Sequence, residues 1–337
     1  MSSTYIIGEA GSNHNGSFLT ALNMIDAAKE AGCDAVKFQI FKSQNLYASN
    51  TPDFADYKQI NKMMKDLELP QFWIPDLMEH CNKVGIEFMA TPFHKSAVDY
   101  LHNEGVCKLK ISGFESTDVD FVEYVLDKQR PTIITTGIGH NLKTIHNLVH
   151  DVIIPSQNDN VTLLHCNHSY PTPYEDLNLN TIPEMIKRFG EYVDVGFSDH
   201  TKEILAPIIA VSKGATVIEK HFTLNSAQQG PDHHFALEPG KLKKMVENIR
   251  WTEKASGIKS DDVEFSYSEY KYRNAMRGVY ATQILEPGMV LSNKNVTTKR
   301  PLRENGVPAS KLSELYGKKI NKQLLIDNPI MEGDTYE

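Results

Sequence analysis

Several things are scarce in this chain, and each scarcity removes a class of protein. Its 337 residues hold four cysteines, Cys33, Cys81, Cys107 and Cys166, with no C-x-x-C pair among them. They are expected to be reduced and to pack as small hydrophobes, as in a cytoplasm. No uninterrupted apolar segment approaches the ~20 residues that cross a bilayer. The N-terminal string M-S-S-T-Y-I-I-G-E has no basic region followed by a long apolar stretch, so neither export nor membrane insertion is expected. An excess of basic residues is also missing: the formal net charge is -8, which argues against nonspecific nucleic-acid binding while permitting a locally basic pocket. With 40% hydrophobic and 23% charged residues, what remains is a soluble globular protein.

The chain is long enough for one large and one small domain. From Tyr5 to about Thr223, short β-branched runs alternate with amphipathic stretches of helical length, the mark of βα units around a parallel sheet. The spacing predicts strands at Tyr5–Gly8, Ala35–Gln39, Ile86–Thr91, Val106–Ile111, Thr132–Thr136, Val161–His165, Val193–Ser198 and Thr216–His221. Eight such units close a (β/α)8 TIM barrel of about 250 residues, with an open doubly wound sheet as the competitor. Phe18–Ala31 reads as a scaffold helix with Leu22, Ile25 and Ala28 on one face and Gly32 as its stop. The segment Asn45–Pro70, with Tyr47 and Tyr57, is longer than a usual βα loop; it is either plain structure or a cover for the barrel mouth.

A helix is expected around Pro239–Ala255, and the chain then turns polar. The expected division is a barrel over 1–256, a linker over 257–276 and a small, mostly β module over 277–337. In that module, strands are expected at Val279–Thr282 and Val290–Leu291, turns at Glu286-Pro-Gly288 and Asn305-Gly306, and a short helix at Lys311–Tyr316.

A barrel builds its site from the C-terminal ends of its strands, and here those ends are polar. They carry Glu9 with Asn13-His14-Asn15, then Lys37 and Gln39, Thr91, Lys110 and Ser112, and Thr135-Thr136-Gly137. His165-Cys166-Asn167-His168, Ser198-Asp199-His200 and Glu219-Lys220-His221 follow. His200 and His221 each close a short apolar run and would emerge side by side. They are either hydrogen-bonded histidines or ligands to a divalent metal, with Glu219 and Asp232 suiting a hard ion such as Mn²⁺ or Mg²⁺. Lys37 and Lys110 lie in strands expected to be buried on both faces, where an unpaired ammonium is costly, so a shared anionic partner is expected. With Thr91, Ser112, Thr135 and Ser198 they supply donors for a phosphate. A phosphate pocket beside a divalent ion suggests a phosphorylated substrate reacting with a polarised carbonyl.

The strings I-I-G-E-A-G-S-N-H-N-G, D-A-V-K-F-Q, A-T-P-F, H-C-N-H-S-Y-P-T-P-Y-E-D, G-F-S-D-H-T, E-K-H-F-T and G-P-D-H-H together resemble the sialic acid synthase family. The tail, with R-G-V-Y-A-T-Q-I-L-E-P-G-M-V-L and N-V-T-T-K-R-P, is similar to that family's SAF, or antifreeze-like, domain. The resemblance implies condensation of phosphoenolpyruvate with an N-acetylated hexosamine such as N-acetylmannosamine, releasing phosphate by C–O cleavage. Diacetamido sugars leading to legionaminate or pseudaminate are the alternative acceptors.

The resemblance also implies roles. His200 and His221 match the metal pair, usually for Mn²⁺, with Mg²⁺ or Co²⁺ as alternatives. Lys37, Thr91, Lys110, Thr135 and Ser198 match positions that hold phosphoenolpyruvate. Glu9, Gln39, Tyr170, Glu219 and Asp232 match positions lining the amino-sugar and metal region, with Glu9, Glu219 and Asp232 as candidates for managing protons. Arg300 matches an arginine that reaches the partner's barrel in a domain-swapped homodimer. Three departures stand out. Gly113 stands where a phosphate-binding serine is expected, with neighbouring Ser112 as its stand-in; His168 replaces an asparagine that the resemblance gives as a phosphate contact; and K-R-P-L-R-E-N-G inserts Arg303 near the sugar contact. Two rivals remain: another phosphoenolpyruvate-dependent aldose condensation, whose barrels lack a SAF tail, and a noncatalytic sugar- or ice-binding protein, which would not need the strand-end set.

Overall fold

A computed structural model describes residues 3–52, 59–257 and 266–337. Tyr57 and residues 258–265 of the expected linker lie outside the described residues. The chain separates into two compact units, Met1–Gly257 and Ile258–Glu337.

In the first unit eight parallel strands close in sequence order: β1 (Tyr5–Gly11), β2 (Ala35–Ile40), β3 (Glu87–Pro92), β4 (Leu109–Ile111), β5 (Thr132–Thr136), β6 (Val161–Cys166), β7 (Asp194–Asp199) and β8 (Val217–His221). β1 pairs with both β2 and β8, which closes the ring and rules out the open sheet. β4 is shorter than expected. The chain turns at Gly105, and only Ala90 of β3 pairs with it, at Leu109.

The helices follow from local chemistry. Phe18–Ala31 begins at Ser17, whose side chain accepts from the Thr20 backbone N–H, and stops at Gly32 in the left-handed region (φ 87°). Its buried face is Ala21, Met24, Ile25, Ala28 and Ala31, with Leu22 packed at the edge. Burial of that face against the barrel holds the helix in place, since isolated helices of this length are marginal in water.

Inside the barrel the two-residue period of a strand sets the layers. Ile7, Ala35, Met89, Ile133, Leu164 and Val217 form an apolar floor. Two residues further along the same strands stand Glu9, Lys37, Thr91, Thr135, Cys166 and Glu219, all buried. The floor keeps water from below, and the layer above it carries the charge.

The second unit has its own core, including Val279, Leu285, Leu291, Val296, Ile320 and Ile330. It pairs β9 (Gly278–Ala281) with β10 (Val296–Lys299) and β11 (Lys319–Ile320) with β12 (Thr335–Tyr336), both antiparallel. Val290 makes a lone bridge to Lys319 rather than the expected strand. Two stretches are 3-10 helix: Ala309–Leu315 in place of the expected helix, and Tyr270–Ala275 within the expected linker.

Candidate active site

The strand register places the charges. Glu9 on β1 is opposite Lys37 on β2 and His221 on β8, and Ser198 on β7 is opposite Glu219 on β8. Lys37 Nζ lies 2.6 Å from Glu9 Oε2 and 3.5 Å from Glu219 Oε2, and donates to Thr91 Oγ1 at 2.9 Å. Lys110 Nζ stands 3.9 Å from Glu219 Oε2. The shared anion expected for the two lysines is therefore present within the protein itself, as Glu219. Ser198 Oγ donates to its other oxygen at 3.1 Å.

Burial and pairing set the protonation of this layer. Burial pushes Glu219 up, but Lys110 and Lys37 outweigh it and hold the carboxyl below its usual range. Burial also opposes the charge on Lys37, yet Glu219 and Glu9 raise it. Lys110, with fewer close anions, is lowered by burial. Burial pushes Glu9 up to about 7 against the pull of Lys37, and Asp232 up to about 6.

The imidazoles stand beside this layer. The His200 and His221 rings are 5.3 Å apart between centroids, with Tyr170 packed on His200 at 4.2 Å and Phe235 on His221 at 5.2 Å. His200 Nδ1 lies 2.7 Å from the Asn167 carbonyl oxygen, so it bears the hydrogen and Nε2 keeps its lone pair. His221 Nδ1 is buried without a hydrogen-bond partner among the described residues, 3.7 Å from Asp232 Oδ2. Burial keeps both rings neutral, pushing His200 down to about 3 and His221 well below its ordinary value. Two neutral rings, an unsatisfied ring nitrogen and a nearby carboxylate are the donor chemistry a divalent ion asks for. Among the described residues, no group of three or more His, Cys, Asp or Glu side chains is drawn together closely enough to hold one unaided.

Glu9, Lys37, Gln39, Thr91, Lys110, Ser112, Thr135, Tyr170, Ser198, His200, Glu219 and His221 surround one small cavity of about 50 Å³. Asp232 borders the adjoining cavity of about 400 Å³, whose wall includes Tyr47, Ile60, Met63 and Met64. The segment after β2 thus covers part of the barrel mouth. Ile60, Met63 and Met64 share one face of a short helix, Ile60–Asp66, at the i, i+3, i+4 spacing that the sequence reading did not use. The Ser112 hydroxyl is engaged by Glu115. Arg300 lies exposed at the end of β10 in the second unit, and the cluster described above is built from barrel residues alone.

Gly11, just past a register shift in β1, shows why a glycine is needed near the site. At φ 54°, an added Cβ would sit 3.3 Å from Asp232 Oδ2 and 3.4 Å from Glu9 Oε1. The Asn167 carbonyl that orients His200 is an element without a signal in the sequence, since a backbone oxygen has no residue signature.

The NeuB family profile matches residues 24–261. The chain belongs to the NeuB family. It is 36% identical over 333 residues to an N,N'-diacetyllegionaminic acid synthase of Legionella pneumophila, covering 95% of this chain and 91% of that one. A pseudaminic acid synthase of Campylobacter jejuni is 32% identical, with 98% and 96% covered. The crystal structure of an N-acetylneuraminic acid synthetase from Leptospira borgpetersenii superposes with a TM-score of 0.72 at 32% identity, covering 81% of this chain and 92% of that one. As a NeuB-family protein the chain is an enzyme, a synthase of the transferase type. No helix among its described residues is long and apolar enough to cross a membrane.

Proposed function

We propose that this NeuB-family protein is a nonulosonic acid synthase that condenses phosphoenolpyruvate with an N-acetylated hexosamine. The observation that carries the reading is one small cavity edged by Lys37 and Lys110, the hydroxyls of Thr91, Thr135 and Ser198, and the His200–His221 pair. Thr135 Oγ1 has no partner among the described residues, which leaves a buried hydroxyl to meet a substrate.

C3 of phosphoenolpyruvate attacks the aldehyde of the open-chain sugar, water adds at C2, and phosphate leaves by C–O cleavage. Lys37 and Lys110 hold the phosphate and carboxylate against the apolar floor, where charges interact more strongly than in water. Glu9, Glu219 and Asp232 are the carboxylates in place to hold or move protons, and burial keeps Glu9 and Asp232 able to carry one near neutral pH. His200 and His221, with Asp232 beside them, are the residues that would hold Mn²⁺, or Mg²⁺ or Co²⁺ in its place; when bound, such an ion supplies Lewis-acid polarisation of a carbonyl.

The acceptor we favour is a diacetamido sugar over N-acetylmannosamine. The adjoining cavity is lined in part by Leu46, Ile60, Met63, Met64 and Phe93, an apolar wall suited to acetamido methyl groups. Purified protein incubated with phosphoenolpyruvate, Mn²⁺ and each sugar in turn should release most phosphate with a diacetamido sugar. Release with N-acetylmannosamine alone rejects that choice, and release with none rejects the enzyme reading. We read the second unit as the SAF domain, Arg300 as its contribution to a partner's barrel in a domain-swapped homodimer, and the cytoplasm as the setting. A monomer by light scattering rejects the dimer.

A further inference from the structure

Two of the sequence departures prove to be a single structural feature. An ideal Cβ added at Gly113 would lie 2.0 Å from His168 Nε2 and 2.2 Å from Cε1, overlapping that edge of the imidazole ring. At Gly137 an added Cβ would meet His168 Cε1 and Nδ1, each at 2.8 Å, and the Cys166 carbonyl oxygen at 2.5 Å. The ring is thus seated between two glycines on the loops after β4 and β5, with Phe114 edge-on at 5.0 Å. No side chain at 113 is compatible with it as placed, since real Cβ atoms do not approach within 3 Å of such atoms.

The tautomer follows from one contact. The Ile138 backbone N–H donates to His168 Nδ1 at 3.3 Å, so Nδ1 is an acceptor and a neutral ring bears its hydrogen on Nε2. Nε2 occupies the volume that the side chain of residue 113 would fill, and His168 and Gly113 both border the small cavity with Lys37, Lys110, Thr135 and Ser198. A hydroxyl at position 113 and the imidazole N–H at position 168 are therefore mutually exclusive ways of placing a donor at one spot.

We propose that His168 is a further anion-binding donor of this chain, its Nε2–H replacing a side-chain hydroxyl at residue 113 toward the phosphate held by Lys110. The inference rests on the reading that this cavity receives a phosphorylated anion. Gly113 and Gly137 are its steric conditions, and the pair 113 and 168 is the unit that must change together.

Calorimetry with inorganic phosphate and with phosphoenolpyruvate, plus steady-state kinetics, tests this on the full-length protein. His168→Asn should weaken binding of both anions roughly tenfold or more, as expected for loss of a hydrogen bond to a charged group. It should raise KM for phosphoenolpyruvate while leaving KM for the sugar within about twofold. Gly113→Ser should weaken anion binding similarly by displacing the ring. The double variant Gly113→Ser/His168→Asn should recover to within about threefold of the wild type, whereas Gly113→Ala/His168→Asn, which relieves the same overlap without supplying a hydroxyl, should stay weak; equal recovery in both would mean that His168 only packs. Wild-type affinity in His168→Asn, or losses that simply add in the double variant, overturns the inference. If the wild type binds inorganic phosphate but not phosphoenolpyruvate, and His168→Asn weakens that binding, the proposed substrate falls and the role of His168 stands. If the wild type binds neither anion, both fall.

Discussion

All 13 histidines, the four cysteines and both tryptophans belong to the barrel unit, and residues 266–337 contain none. The two units also treat charge differently. In the barrel, Glu9, Lys37, Lys110 and Glu219 have side chains at most 6% exposed. In the second unit, ion pairs such as Lys299–Asp327 stand in solvent. A buried ion pair rarely stabilises more than an apolar substitute of the same volume, whereas an exposed one is cheap and nearly neutral. The buried charges of the barrel therefore need a chemical explanation, and the exposed ones of the second unit do not.

The largest test of that contrast is His221→Ala. It should cut metal-dependent phosphate release by at least about a thousandfold, about 4 kcal/mol of transition-state stabilisation, with circular dichroism unchanged. Undiminished activity and metal affinity would remove His221 from the site. Next comes Lys37→Met, which leaves Glu9 and Glu219 buried with less compensation. Urea unfolding should show a loss of about 3–5 kcal/mol, and a loss below about 1 kcal/mol would mean the charges are not buried as described.

The third test uses pH. Burial pushes His14 down to about 4, with Nδ1 accepting from the Gly16 N–H and Nε2 unpartnered among the described residues. A histidine neutral when folded but titrating near 6.5 when unfolded lends stability that is fully present above that value and is lost as pH falls toward 4. Between pH 7 and pH 5, wild-type stability should fall about 2 kcal/mol more than that of His14→Asn, followed by urea unfolding with tryptophan fluorescence, which reports only the barrel. Equal slopes contradict a neutral His14. The smallest effect is expected in the second unit, where Lys299→Ala should change its unfolding by no more than about 1 kcal/mol; a larger loss would erase the contrast.

Much of the barrel was legible in the sequence because its signals are local. The strand period, the number of units, and caps such as Ser17 and Gly32 each depend on neighbours a few residues away, and the polar strand ends followed in order. β4 came out shorter because pairing with β3 begins only at Leu109, a nonlocal fact. The second unit was less legible, since its core is stitched from lone bridges such as Val290 to Lys319 and Leu285 to Leu324 that have no periodic pattern. At the site, Lys37, Lys110, His200 and His221 were found as residues, but their relations were not. The sequence suggested an outside anion for the two lysines, and Glu219 supplies one from within. It suggested Ser112 as a stand-in for a missing hydroxyl, and that hydroxyl is taken by Glu115.

By itself, then, the sequence determined the eight βα units, the residues at their ends and the kinship of the chain, because periodicity and motif are properties of order along the chain. Only the tertiary structure decided which carboxylate bridges the lysines, which carbonyl orients His200, and that Gly113 and His168 are one feature. Such relations depend on distances of a few ångströms between residues up to about two hundred positions apart, and close packing, not order in the chain, sets those distances.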